Sequence, residues 1–159
     1  MRLYGACVIF AVIYNRSEAV SFTLKYEWEG IMNADQVAIV QETFEKVRPI
    51  SETAADLFYK RLFELNPSFK SLFKGDMKKQ GRMLMQMIDF AVKGIDEPDT
   101  ILPTIRDLGK RHVGYGVKEE YYDTVGEALL WTLEQGLGEV LPLKLRMPRL
   151  KHTNFWQVL

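Results

Sequence analysis

Leu108-Gly109-Lys110-Arg111-His112-Val113-Gly114-Tyr115-Gly116 is the stretch on which the reading of this 159-residue chain turns. The chain has only two histidines, His112 and His152. Ile101, Ile105, Leu108 and His112 recur at helical spacing and line one face of a helix that ends near Gly114. The residues before it, Asp96 to Asp99 with Pro98, read as a loop, which makes this a shorter helix than its neighbours. A histidine near a helix end, facing a core, suits ligation of an iron porphyrin. One ring nitrogen binds the metal while the other donates to a nearby carbonyl, and the Leu108 carbonyl is in reach by helical spacing. The same pattern fits a core or surface histidine that holds no ligand, and the residue alone does not separate the two.

Working outward, the chain reads as helices from 32 to 138. Asn33 with Gln36 forms a capped start, and Val37, Val40, Phe44 and Val47 make one apolar face that Pro49 ends. Ser51 is placed to cap the next helix, which runs through Leu57, Phe58, Tyr59, Leu62 and Phe63 to Asn66-Pro67. A short helical turn spans Pro67 to Phe73, followed by a Lys74-Gly75-Asp76 loop with Asp76 as cap. Met77, Gln80, Leu84, Met87, Ile88 and Ala91 mark a helix that stops at Gly94. Beyond the His112 helix, Val117 to Leu137 reads as one long helix. Gln80 and Leu84 share a face, and an amide beside an apolar side chain suits the lining of a small polar-tipped cavity. Tyr59 is a second candidate donor. Both also fit ordinary boundary positions, and the methionines Met77, Met83, Met85 and Met87 read as core and boundary filling.

Composition narrows the classes. Acidic and basic residues balance at 21 each, so charge offers no reason to expect a nucleic acid or an anionic membrane as partner. The single Cys7 excludes an internal disulfide and any multi-cysteine metal site. No apolar run is long enough for a transmembrane helix. Leu3 to Tyr14 is apolar, follows Arg2 and precedes Ser17-Glu18-Ala19, the outline of a secretory signal over 1–19. Tyr4 and Tyr14 within it, and Arg16 and Glu18 at the cleavage region, argue against that, and a cytoplasmic protein is expected. Val20, Phe22, Leu24, Tyr26 and Trp28 alternate with polar residues. Residues 1–31 therefore read as an accessory or non-native extension, with Met32 as a second start.

Order and spacing together carry a family resemblance. Leu57-Phe58-Tyr59-Lys60-Arg61-Leu62-Phe63, then Pro67, then Leu72-Phe73, resembles the second and third helices of bacterial single-domain globins and of flavohaemoglobin globin domains. Lys79-Gln80-Gly81-Arg82-Met83-Leu84-Met85-Gln86 resembles their distal helix. Ile101-Leu102-Pro103 with Leu108-Gly109-Lys110-Arg111-His112 resembles the proximal helix. Gly116-Val117, Tyr122, Val125-Gly126 and Leu129-Leu130 resemble the helix after it. The likeness covers about residues 33 to 138.

The resemblance implies an all-α globin fold around haem b, iron protoporphyrin IX. It makes His112 the proximal iron ligand, with Leu108 supporting it and Phe73 stacking on the porphyrin. Tyr59 and Gln80 become distal donors, Leu84 the apolar wall over the iron, Val117 a residue packed beneath the ring and Tyr122 a residue of the proximal pocket. A phenol or amide donor stabilises a ligand oxygen that gains partial negative charge. The implied function is reversible binding of oxygen or another diatomic gas, for storage, transport or sensing. The alternatives are nitric oxide dioxygenase activity, which needs a separate reductase because the chain has no flavin or nicotinamide domain, and a non-functional globin fragment.

Residues 139–159 depart from the family pattern. Globins of this type end in a long amphipathic helix, whereas Pro142 and Pro148 interrupt this segment. Codons rebuilt from the third base of one residue and the first two of the next compel Ala at Pro148, Leu at Trp156 and Ala at Gln157, all suited to a last helix. The tryptophan usual after the first Ala is not reachable at Arg149. The segment is thus expected to be an aberrant tail, a frameshifted form of the last helix, and His152 an accident of frame.

Overall fold

The computed structural model describes residues 34–118 and 120–138. Five α-helices make up this part: α1 (Ala34–Val47), α2 (Ser51–Leu65), α3 (Met77–Lys93), α4 (Pro98–Gly114) and α5 (Tyr121–Leu137). Two 3-10 turns, Arg48–Ile50 and Pro67–Leu72, join α1 to α2 and lead out of α2. The architecture is all-α, a multi-helix fold of globin type. The expected Asn33 cap, the extension over 1–31 and the tail over 139–159 lie outside the described residues.

The apolar stripes explain the packing. Phe44 and Val47 of α1 are buried with Ala54, Val92 and Leu137 in one cluster. Val37 and Val40, on the same stripe, pack on Ile95, Ile101 and Ile105. Phe58, Tyr59 and Leu62 of α2 join Phe69 and Ala128 in a third cluster. The α2–α3 crossing is close at Gly81, where a Cβ would stand 3.0 Å from the Ala55 Cβ. At the α3–α4 corner a Cβ on Gly94 would stand 2.1 Å from Ile101 Cγ2, closer than atoms can approach.

Several boundaries follow the expected chemistry. Asp76 caps α3 by accepting from the Lys78 and Lys79 amides at 2.7 and 3.3 Å. Gly94 is the cap residue at the other end of α3. Three boundaries differ. Ser51 does not cap α2, because the 3-10 turn delivers it already in helical geometry and Ile50 takes the cap position with no side-chain bond. The residues from Pro98 onward are helix rather than loop, since a proline in the first turn has no amide that the helix needs. That makes α4 17 residues long, the same as α3, with Pro103 inside it. The last helix begins at Tyr121, not Val117. The intervening turn folds back on α4 instead: Gly116 takes φ of 81°, its amide donates to the Val113 carbonyl at 3.0 Å, and the Val117 amide donates to the His112 carbonyl at 3.1 Å. This left-handed glycine turn satisfies carbonyls that the helix end leaves open.

Candidate functional site

Tyr59 sits on the buried face of α2, with 7% of its surface exposed. Its ring meets Phe58 edge-on at 5.0 Å and Phe73 edge-on at 5.3 Å between centroids. Phe73 in turn meets Phe63 at 5.5 Å. The Tyr59 hydroxyl is in hydrogen-bonding reach of the Gln80 side chain on α3. Burial pushes the phenol above its ordinary pKa, and the Gln80 bond pulls the other way by a smaller amount. The phenol therefore stays protonated and able to donate at neutral pH. Leu84, one turn after Gln80, packs against the same cluster as Tyr59 and Phe73. Tyr59, Phe73, Gln80 and Leu84, far apart in sequence, are thus brought together by the α2–α3 crossing and the turn after α2.

His112 lies near the end of α4, half-buried, with Nδ1 2.8 Å from the Leu108 carbonyl. A carbonyl accepts only, so Nδ1 is the donor, and in the neutral form of the ring Nε2 is then the acceptor or metal ligand. The burial along α4 is uneven. Ile101, Leu102 and Ile105 are buried, while no residue from Arg106 to Gly114 is. Val113 and Tyr115 stand 71% and 65% exposed, and the Tyr115 ring lies 6.3 Å from the His112 ring. Leu108, whose carbonyl holds the His112 ring, is in none of the three hydrophobic clusters, the third of which holds Tyr59. Val117 and Tyr122 are half-buried on the segment that follows. Burial raises the Tyr122 phenol pKa.

The structure therefore gathers two groups, Tyr59 with Phe73, Gln80 and Leu84, and His112 with Leu108. A groove of about 400 Å³ lined by Arg48, Ala55, Arg82 and Asp89 among others includes none of these residues. Among the described residues no three His, Cys, Asp or Glu side chains come together as a metal-binding group. No helix among the described residues is long and apolar enough to cross a membrane. Phe63, placed in the helix and the family motif by the sequence but given no site role, has its ring between those of Tyr59 and Phe73. Its i+4 spacing from Tyr59 is the signal that marks it.

A comparison with family models matches residues 56–143 to the model described as Globin. The chain belongs to the globin family. Flavohemoproteins are among its relatives. The globin is 34% identical over 86 residues to the flavohemoprotein of Chromobacterium violaceum, a match covering 52% of this chain and 21% of that protein. It is 30% identical over 112 residues to the flavohemoprotein of Rhodopirellula baltica, covering 69% of this chain and 28% of the relative. For Halalkalibacterium halodurans the figures are 33% over 104 residues, 64% and 25%. The globin thus spans about a quarter of the length of these relatives.

Proposed function

We propose that this globin binds haem b through His112 and reversibly binds oxygen or a similar diatomic gas on the side lined by Tyr59 and Gln80. The observation that carries this reading is the bond from His112 Nδ1 to the Leu108 carbonyl at 2.8 Å. It sets the tautomer that a metal-binding imidazole needs and orients the ring. The residues present fit a flat, mostly apolar group with a metal centre. They supply one imidazole nitrogen, an aromatic and aliphatic surface in Phe73 and Leu84, a buried donor in Tyr59 and a half-buried one in Gln80. When bound, haem supplies the iron that takes up a diatomic gas.

The chain's own residues do the rest. Leu108 holds the His112 ring through its carbonyl. Tyr59, kept protonated by burial, donates to a ligand atom bearing partial negative charge. Gln80, whose N–H donating to the Tyr59 oxygen pulls the phenol pKa down, leaves the hydroxyl proton free for the ligand and offers a second donor. Leu84 and Phe73 keep water from the donors, which strengthens each bond they make. Val117 and Tyr122 are assigned to the His112 side of the group.

The test is the absorption spectrum of the purified protein after haem addition, ferrous with and without carbon monoxide. A Soret band that shifts with carbon monoxide supports the proposal, and a spectrum of free haem rejects it. The flavohemoprotein relatives favour one second reading, oxidation of nitric oxide to nitrate with electrons from a separate reductase. Aerobic nitric oxide consumption that depends on an added reductase would select it over reversible oxygen binding.

A further inference from the structure

The helix that carries His112 ends two residues later, at Gly114. Side-chain packing does little to hold that end. No residue from Arg106 to Gly114 is buried, and Val113, Gly114, Tyr115 and Gly116 are all exposed. An unpacked helix end opens readily unless its last carbonyls find donors. Here they do. The His112 carbonyl accepts from the Tyr115 and Val117 amides, both at 3.1 Å, and the Val113 carbonyl accepts from the Gly116 amide at 3.0 Å.

The bonds from Val117 to His112 and from Gly116 to Val113 are the pair that closes a helix through one left-handed residue. That residue is Gly116, at φ of 81°. A Cβ there would meet nothing within 4 Å. Glycine is thus required by the backbone conformation and not by lack of space. The result is a hold on His112 at two points. Its backbone carbonyl is tied to the Val117 amide, and its ring Nδ1 is tied to the Leu108 carbonyl at 2.8 Å.

We propose that Gly116 is a positioning residue for His112. Its turn keeps the last turn of α4 wound, which keeps the ring on the Leu108 carbonyl and leaves Nε2 as the free nitrogen. The same turn ties Val117, assigned to the same side of the haem, to the His112 backbone. The role in haem binding rests on His112 being the iron ligand, as proposed above. The hold on the ring is a property of the haem-free chain as well.

The test uses the full chain, haem-free and haem-loaded, with three variants. Gly116→Ala adds a methyl that strains the positive φ and touches nothing. Gly116→Asn tolerates that φ better. Gly138→Ala is the control, since Gly138 also has positive φ and open space but ends α5. In the haem-free protein, amide exchange follows local opening. Gly116→Ala should speed exchange of the Val117 amide about fivefold to thirtyfold, and Gly116→Asn should speed it less. The neutral His112 ring, followed by nitrogen nuclear magnetic resonance, should change from the Nδ1-protonated form to a mixture of tautomers in Gly116→Ala. In the ferrous haem-loaded protein, the iron–histidine stretching band should shift or broaden in Gly116→Ala and return toward the wild type in Gly116→Asn. Gly138→Ala should leave all three readouts unchanged. Equal Val117 exchange in wild type and Gly116→Ala would overturn the proposal. Faster exchange with an unchanged His112 tautomer would overturn it too, because the turn would then not reach the ring. Equal effects in Gly138→Ala would overturn it as general loss of stability. A wild type without an iron–histidine band would reject His112 as the iron ligand, and the exchange and tautomer results would still decide whether Gly116 holds the ring.

Discussion

Tyr59 and Gln80 offer a perturbation whose size follows from the geometry. Tyr59→Phe removes one oxygen and leaves the ring against Phe58 and Phe73 at 5.0 and 5.3 Å. At 7% exposure the site admits little water to take over the lost bond. Gln80 is half-buried and loses its partner in that variant. Tyr59→Phe and Gln80→Leu should each cost about 1 kcal/mol of folding stability, rising toward about 3 kcal/mol if the orphaned partner stays dry. Both variants remove the same bond, so the double variant should lose less than the sum, with a coupling of about 0.5–1.5 kcal/mol. Urea unfolding of the four haem-free proteins, followed by circular dichroism, measures this cycle. Costs that add within about 0.3 kcal/mol would refute the argument that the two side chains act on each other. In the haem-loaded protein, each single variant should speed oxygen dissociation about fivefold to tenfold. Carbon monoxide, a poorer hydrogen-bond acceptor, should respond less.

Three further outcomes are expected. Gly94→Ala should destabilise the fold by about 1–3 kcal/mol, because the new Cβ meets buried Ile101 at 2.1 Å; an unchanged urea midpoint would show that α4 shifts freely at this corner. The Lys79 and Lys78 amides hold the Asp76 carboxyl below the usual carboxylate range, so its stabilisation is present above the ordinary pKa of about 4 and is lost as pH falls through the lowered value. Asp76→Ala should therefore lower the thermal midpoint by a few degrees at neutral pH and make little difference in strong acid. A chain starting at Met32 should fold and take up haem like the full chain, and a large drop in its thermal midpoint would show that residues 1–31 support the core.

The legible parts of the fold were those written in local chemistry. The Asp76 cap and the Gly94 stop bound α3 in the sequence and in the structure. The α1 stripe likewise buries Phe44 and Val47 as its spacing requires. The errors fall where a residue fits two local states. Pro98 signals a loop when read as a breaker and a helix start when read as a first-turn proline, and the structure takes the second. Val117 continues the apolar spacing of α5, yet Gly116 at positive φ turns its amide back to His112. In the candidate site, the resemblance named Tyr59 and Gln80, whose contact is made across a close helix crossing at Gly81, a long-range feature that spacing within one helix does not contain.

Haem occupancy of His112→Ala and His152→Ala beside the wild type, read from the Soret absorbance per protein after removal of free haem, tests the central claim most directly. The account predicts normal occupancy in the wild type and in His152→Ala, and none in His112→Ala while its helical circular dichroism persists. Equal occupancy in His112→Ala and the wild type would contradict it.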